Sequence, residues 1–331
     1  MDMEFRAFLI DQKEGQIVSG FSTLEEAALD PGEVSIRVAY SSINYKDALA
    51  ATGAGRIIRR FPCVGGIDLA GTVVRSTDER FAVGDRVIAG GYSIGVAHHG
   101  GYAQRARLPA DWVMKCPAGL TLRQAMAYGT AGFTAGLALQ RMCQAGLSPE
   151  QGPVIVSGAT GGVGSIAISL LAQRGYQVSA LTGKDTQDDV LKSLGATAIV
   201  RRQMLDGQAI KPLSTETWAG AIDNLGGDVL AWMLSTMKRD GVVSSIGLAA
   251  SASLQTTVMP FILRGVRLLG IDSGFCSRTD REAVWSGLVS ADVLTHLESL
   301  TREISFDDLP NAFSAFIAGE MTGRVVVRIN P

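Results

Sequence analysis

Pro153-Val154-Ile155-Val156-Ser157-Gly158-Ala159-Thr160-Gly161-Gly162-Val163-Gly164 is the stretch that decides the fold. Its first five residues read as a short apolar strand, its glycines as a tight turn, and residues 165–174 as a helix. A strand that runs through glycine into a helix N-terminus is an anion site. The first helical N–H groups lack intrahelical acceptors, the helix dipole adds positive potential, and missing Cβ atoms let a pyrophosphate approach. Against the dinucleotide fingerprint G-x-G-x-x-G, Ala159 stands at the first glycine position while Gly161 and Gly164 fit. A glycine cluster alone is a weak signal; inside a βαβ unit it becomes a strong one. Thr160, Gly161, Gly162 and Val163 are thus the expected pyrophosphate contacts, the alternative being a glycine-rich turn with no ligand.

The alternation continues on both sides. Residues 123–145 carry apolar side chains at helical spacing. Beyond the glycine turn, Gln177-Val178-Ser179-Ala180-Leu181 forms the next strand, 188–194 a helix, 198–200 and 220–223 further strands, 229–237 a helix and 242–246 a strand. This order predicts a doubly wound parallel sheet with right-handed crossovers. The chain is expected to leave that sheet near Arg267-Leu268-Leu269-Gly270-Ile271. The first third reads differently. Residues 34–40 alternate, Gly71-Thr72-Val73-Val74 and 85–89 are short and β-branched, and Pro31-Gly32 and Gly84-Asp85 mark turns. The strand at 323–329 is expected to return to this barrel-like β domain. The predicted boundaries are 1–126 with 273–331 for the β domain, and 127–272 for the nucleotide domain.

Composition narrows the class. A chain of 331 residues has room for two domains, and 47% hydrophobic against 19% charged residues suits buried cores rather than disorder. A net charge of -2 leaves no field that draws in nucleic acid or an anionic membrane. No apolar run predicts a spanning helix, and Met1-Asp2-Met3-Glu4-Phe5-Arg6 lacks the apolar core of a secretory signal. Cys63, Cys116, Cys143 and Cys276 have no close spacing, as expected of reduced thiols in a cytoplasmic protein. Glycine is in excess, 39 of 331 residues against an average of about 7%, which marks tight turns or close ligand approach.

The second strand selects the cofactor. An NAD site places an acidic residue about 20 residues past the glycine turn, on the ribose 2′-OH. Here the strand ends Ala180-Leu181-Thr182-Gly183-Lys184 with no carboxylate at its tip. Thr182 offers a hydroxyl, Gly183 an open backbone and Lys184 a cation for a 2′-phosphate, and Arg202 follows the third strand. The expected cofactor is NADPH; the alternative leaves Lys184 a solvated loop charge.

Further motifs stand in a telling order: Asn44-Tyr45-Lys46-Asp47, Gly66-Ile67-Asp68-Leu69-Ala70-Gly71, Gly129-Thr130-Ala131-Gly132-Phe133-Thr134-Ala135, the glycine turn, and Gly323-Arg324-Val325-Val326. With them the whole chain resembles the medium-chain dehydrogenase/reductase superfamily in its quinone oxidoreductase-like branch. Met259-Pro260-Phe261-Ile262-Leu263-Arg264 and Gly270-Ile271-Asp272-Ser273 resemble its NADPH-dependent acryloyl-CoA reductase subfamily more specifically. The resemblance implies a Rossmann sheet plus a GroES-like β-barrel catalytic domain, reduction of acryloyl-CoA to propionyl-CoA, and a homodimer. Zinc-dependent members carry a catalytic cysteine, a Gly-His-Glu segment and a four-cysteine lobe. Asn44 and Ile67 replace the first two ligands here, and no cysteine cluster exists, so no metal is expected.

Reducing an α,β-unsaturated thioester takes hydride at the β carbon, hydrogen bonds to the developing oxygen charge, and a proton at the α carbon. Tyr45 is the first catalytic candidate, since the resemblance sets it against the cofactor; a half-buried core tyrosine is the alternative. Asn44 and Asp47 are expected to fix its turn through side-chain-to-backbone bonds, with a proton role for Asp47 left open. Thr130 and Thr134 are candidate nicotinamide or ribose contacts, Thr130 alternatively a helix cap. Arg324 either meets cofactor or substrate charge or is a solvated strand residue. The resemblance further implies cofactor contacts at Leu248, Ile262 and Ser273. His98-His99 is expected in a surface loop. A quinone or enal reductase, and a nucleotide-binding protein without turnover, remain the competing readings.

Overall fold

The computed structural model describes residues 4–291 and 293–330. Strand β1 (Glu4–Lys13) buries Phe5, Ala7, Phe8 and Ile10, and turns back into β2 (Gln16–Glu25). The two-residue turn is Glu14-Gly15, both at positive φ (49° and 82°), the twist that tight hairpins require. Next come β3 (Val34–Ile43), α1 (Tyr45–Thr52), β4 (Cys63–Val64), β5 (Asp68–Ser76), β6 (Arg86–Gly90), β7 (Arg105–Leu108), β8 (Val113–Lys115) and α2 (Leu122–Gln144). The α/β run follows: β9 (Val154–Val156), α3 (Gly162–Gln173), β10 (Val178–Thr182), α4 (Asp188–Ser193), β11 (Ala196–Arg201), β12 (Trp218–Asp223), α5 (Gly227–Thr236), β13 (Met237–Ser245), α6 (Met259–Arg264) and β14 (Arg267–Gly270). The chain closes with α7 (Arg278–Ser290), α8 (Leu294–Leu300), β15 (Thr301–Ser305), α9 (Leu309–Ile317) and β16 (Arg324–Arg328). No helix among the described residues is long and apolar enough to cross a membrane.

By packing, the chain falls into two units. The first holds residues 4–130, Gly274–Arg278 and 297–330; the second holds Ala131–Ser273 and Thr279–His296. In the first, a sheet runs β15-β16-β3-β5-β6-β8 with β7 also on β3, and a smaller sheet runs β2-β1-β4. Its core joins Ile36, Val38, Leu69 and Val87 to Phe8, Phe306 and Phe313. Strand β16 pairs antiparallel with β3, so the closing strand returns to the first unit.

The second unit is a six-stranded sheet ordered β11-β10-β9-β12-β13-β14, every pair parallel. Renumbered from β9 this is 3-2-1-4-5-6, the doubly wound dinucleotide-binding order. Residues 267–270, near which the chain was expected to leave, form the sixth strand, and this stretch of the second unit ends at Ser273. An edge strand of four residues with only half-buried leucines gives little sequence signal. Residues 279–296, expected in the first domain, pack in the second. Their helix α7 presses on α2 at Gly136, where a Cβ would lie 2.9 Å from Val284 Cγ1. Trp285 stacks on Phe133, the Arg281 guanidinium sits 4.9 Å over that ring, and Arg141 pairs with Asp280 at 2.8 Å.

Candidate functional site

In the second unit, β9 ends against the turn that leads into α3. Gly158 has φ +56°, so the tight-turn position lies one residue before the fingerprint's, and Ala159 is buried in the core. The Gly161 N–H bonds Gly158 O at 2.9 Å and the Ser165 N–H bonds Gly161 O at 2.9 Å. A Cβ on Gly164 would run into the Gly158 carbonyl and come within 2.9 Å of Ala159 Cα. Only glycine lets the helix start this close to the turn. Helix geometry leaves the N–H groups of Gly162, Val163 and Gly164 without intrahelical acceptors, and Thr160 to Val163 are partly open to solvent. The turn forms a cradle whose residues fit a pyrophosphate.

Two residues that sequence reasoning missed buttress this cradle. The Asp223 carboxylate, at the end of β12, accepts the Ser157 hydroxyl at 2.7 Å and the Gly226 N–H at 2.8 Å; burial raises its pKa. The Asn224 amide donates to Ser157 O at 2.7 Å, while its buried Oδ1 lacks a partner among the described residues, an acceptor left for a cofactor group. The available signal was a polar Asp223-Asn224 pair closing an otherwise apolar strand.

At the tip of β10, the Thr182 hydroxyl is buried and accepts the Lys184 N–H at 3.0 Å. The open group there is Gly183. A Cβ on it would lie 3.3 Å from Arg202 Nε, so the Arg202 guanidinium covers this backbone. Burial lowers the Lys184 pKa. The adjacent Arg201 is committed to Asp188 at 2.6 Å and Asp185 at 3.6 Å. Arg202 is exposed and makes no ion pair among the described residues. With Lys184 and Arg202 beside an exposed glycine and no carboxylate at the tip, the residues fit an adenosine 2′-phosphate. Thr134 is buried on α2, Leu248 and Ile262 are 62% and 71% exposed, and Ser273 is half-buried with its carbonyl accepting from Arg281 at 3.3 Å.

In the first unit, a buried polar network gathers most of the remaining candidates. Asp68, which sequence reasoning did not single out, is its hub. Its Oδ1 accepts the Ser42 N–H at 3.0 Å; its Oδ2 accepts the Asn44 amide at 3.0 Å and the Thr130 N–H at 2.9 Å. One carboxylate thereby ties the turn before Tyr45 to the kink before Thr130. That kink is Gly129, φ 49° and ψ -154°, inside α2. A Cβ there would lie 2.7 to 2.8 Å from Arg324 Nη2, Ser42 Oγ and Asp68 Oδ2, so the network closes over the missing side chain.

Arg324 is neither a solvated strand charge nor open to a ligand. It is 2% exposed and donates to Ala127 O at 2.8 Å, Ser42 Oγ at 2.8 Å, and Ile43 O and Asn44 Oδ1 at 3.3 Å. Asp47 is buried too, accepting the Asn44 N–H at 2.9 Å and the Ile67 N–H at 3.0 Å. Burial, followed by the charge of Asp68, pushes its pKa up to about 7. Both are held within the buried network by hydrogen bonds. Tyr45, the first residue of α1, is 42% exposed, and Lys46 beside it is exposed as well. His98 and His99 are buried rather than on the surface, with the His99 N–H on Asp30 at 2.7 Å and His99 Nδ1 accepting the Val64 N–H at 3.0 Å. No group of three or more His, Cys, Asp or Glu among the described residues is placed to hold a metal ion.

Comparison with known proteins fits both units. Residues 30–118 match the alcohol dehydrogenase GroES-like domain, and 162–290 match the family model described as zinc-binding dehydrogenase. The chain is 45% identical over 98% of its length, and 99% of the relative's, to the acrylyl-CoA reductase AcuI of Ruegeria pomeroyi. It is 44% identical over 99% of its length to all of the putative quinone oxidoreductase YhfP of Bacillus subtilis, whose structure with NAD bound superposes with a TM-score of 0.95. The yhdH oxidoreductase of Salmonella enterica in complex with NADP also reaches 0.95, at 45% identity over 98% of this chain and all of that one. Full-length relatives at this identity, together with a GroES-like segment and a 3-2-1-4-5-6 nucleotide sheet, establish that the chain belongs to the medium-chain dehydrogenase/reductase superfamily.

Proposed function

We propose that this protein is an NADPH-dependent acryloyl-CoA reductase, saturating the C=C bond to give propionyl-CoA without a metal. The observation that carries the reading is full-length similarity to an acrylyl-CoA reductase, combined with a cationic, carboxylate-free tip of β10. Bound NADPH supplies the hydride, which goes to the β carbon of the thioester. Gly161, Gly162, Val163 and Thr160 hold the pyrophosphate; Gly183, Lys184 and Arg202 hold the 2′-phosphate; Asn44, Thr130, Thr134, Leu248, Ile262 and Ser273 complete the cofactor contacts. Tyr45 donates a hydrogen bond to the thioester oxygen as negative charge develops there. Asp68, Asp47 and Arg324 hold the backbone around Tyr45 and Thr130, so that these groups meet the ligands already oriented. A proton taken up from solvent at the α carbon completes the saturated thioester. With Asn44 and Ile67 where zinc relatives hold ligands, charge stabilisation falls to hydrogen bonds. A cytoplasmic homodimer belongs to the same reading, with the exposed Val258 and Leu263, which precede the edge strand β14 in the chain, supporting a second copy there.

The second reading, a quinone or enal reductase, is favoured by the name of the Bacillus relative. One experiment separates them: NADPH consumption with acryloyl-CoA, with a quinone, and with no acceptor. Turnover of acryloyl-CoA with a slow quinone rate is the expected result. Fast turnover of quinone alone overturns the proposal, and silence with every acceptor points to a nucleotide-binding protein without turnover.

A further inference from the structure

A cavity of about 260 Å³ lies within the second unit among α2, α3 and α7. It is smaller than the ~300–1,000 Å³ of drug-sized sites, a volume for a small ligand. Its apolar lining comes from Leu170, Val284 and Leu288, all buried. Its polar lining is Gln140, Gln144 and Arg174, with no carboxylate among the lining residues. Arg174, the residue that ends α3, makes no ion pair among the described residues. Asp280 of α7 is paired with Arg141 at 2.8 Å.

The glycines of this cavity differ in a way that packing does not explain. Gly136 is required by close helix approach, with a Cβ 2.9 Å from Val284. Gly287 is not. It sits inside α7, where glycine is the least favourable residue after proline, yet a Cβ there would meet only Arg174 Nη2 at 3.9 Å. A helix that gives up propensity without a steric reason is keeping space open. We propose that this cavity is a binding site for a short-chain monocarboxylate, its carboxylate on Arg174 and its alkyl tail on Leu170, Val284 and Leu288. Guanidinium and carboxylate match in charge and in planar donor geometry, and the apolar floor selects for a tail. This inference does not rest on the activity proposed above.

Cys143, which lines the cavity and is exposed, reports on occupancy. The experiment follows its reaction with a chromogenic disulfide, identified as the fast thiol lost in Cys143→Ser, on protein saturated with NADPH so that the nucleotide site is filled. Butyrate should slow the reaction saturably, while n-butanol and inorganic phosphate should not. Arg174→Gln should weaken butyrate roughly tenfold or more, the loss of one charged hydrogen bond. Gly287→Leu, which fills the opening with a good helix former, should abolish protection with a Tm at or above wild type. The proposal is overturned if butyrate gives no saturable protection, if butanol or phosphate protects equally, or if protection survives both variants.

Discussion

Changing Gly183 to Asp tests the proposal that the tip of β10 selects a 2′-phosphate over a 2′-hydroxyl. The backbone of Gly183 lies outside the left-handed region, so a side chain is tolerated there, and its Cβ would meet the Arg202 guanidinium at 3.3 to 3.5 Å. The new carboxylate would pair with Arg202 and at the same time repel a phosphate. Removing Arg202 alone costs one charged hydrogen bond. Such bonds are worth about 1.5–3 kcal/mol, and exposure places this one at the low end. About 1.4 kcal/mol is tenfold, so Arg202→Ala should raise the NADPH Kd roughly tenfold and leave NADH within about twofold. Lys184→Ala should behave likewise. Gly183→Asp adds repulsion to that loss and supplies an acceptor for a 2′-hydroxyl, so NADPH should weaken on the order of 100-fold while NADH tightens. The assay is a fluorescence titration of each reduced cofactor at low and high salt, with screening expected to shrink the NADPH effects. Equal losses for the two cofactors in Arg202→Ala and Lys184→Ala, or an NADPH preference retained by Gly183→Asp, would refute the reasoning.

Two further outcomes follow from the buried network of the first unit. Gly129→Ala forces a side chain into a glycine-only conformation and against Arg324, Ser42 and Asp68, so it should lower unfolding stability by roughly 2–6 kcal/mol, strain plus overpacking, in a urea titration; a loss under about 1 kcal/mol would contradict the crowding. Asp47, raised from 3.8 to about 7 by burial and by Asp68, favours folding in its protonated form. Its contribution is fully present below about pH 4 and is lost as pH rises through 7, so Tm should fall across that window. The same slope persisting in Asp47→Asn would assign it to other groups.

Much of the second unit was legible because its signals are local. The strand at 154–156, the glycines after it and the lack of a carboxylate at the tip of β10 follow from period, backbone freedom and residue charge. Even there the turn glycine is Gly158 rather than a residue in the expected slot, since a positive φ is a property of the folded turn. Helix α7 was not read from the sequence, and no local pattern says which helix receives its buried face; Gly136, Phe133 and Arg141 on α2 do. The histidine pair in a glycine-rich loop looks exposed in one dimension and is buried in three, because Asp30 and the Val64 N–H accept and donate from distant segments.

By itself, then, the sequence determined a nucleotide-binding α/β sheet, a β domain and a second strand whose tip carries Thr182, Gly183 and Lys184 without a carboxylate. Tertiary structure decided the roles of the charged candidates. Arg324, Asp47 and Asp68 come from segments up to 277 positions apart, yet Ser42 and Asn44 bond to them in one dry cluster. Whether a charge faces a ligand or holds a scaffold depends on which backbone carbonyls and carboxylates reach it, and burial makes those partners obligatory.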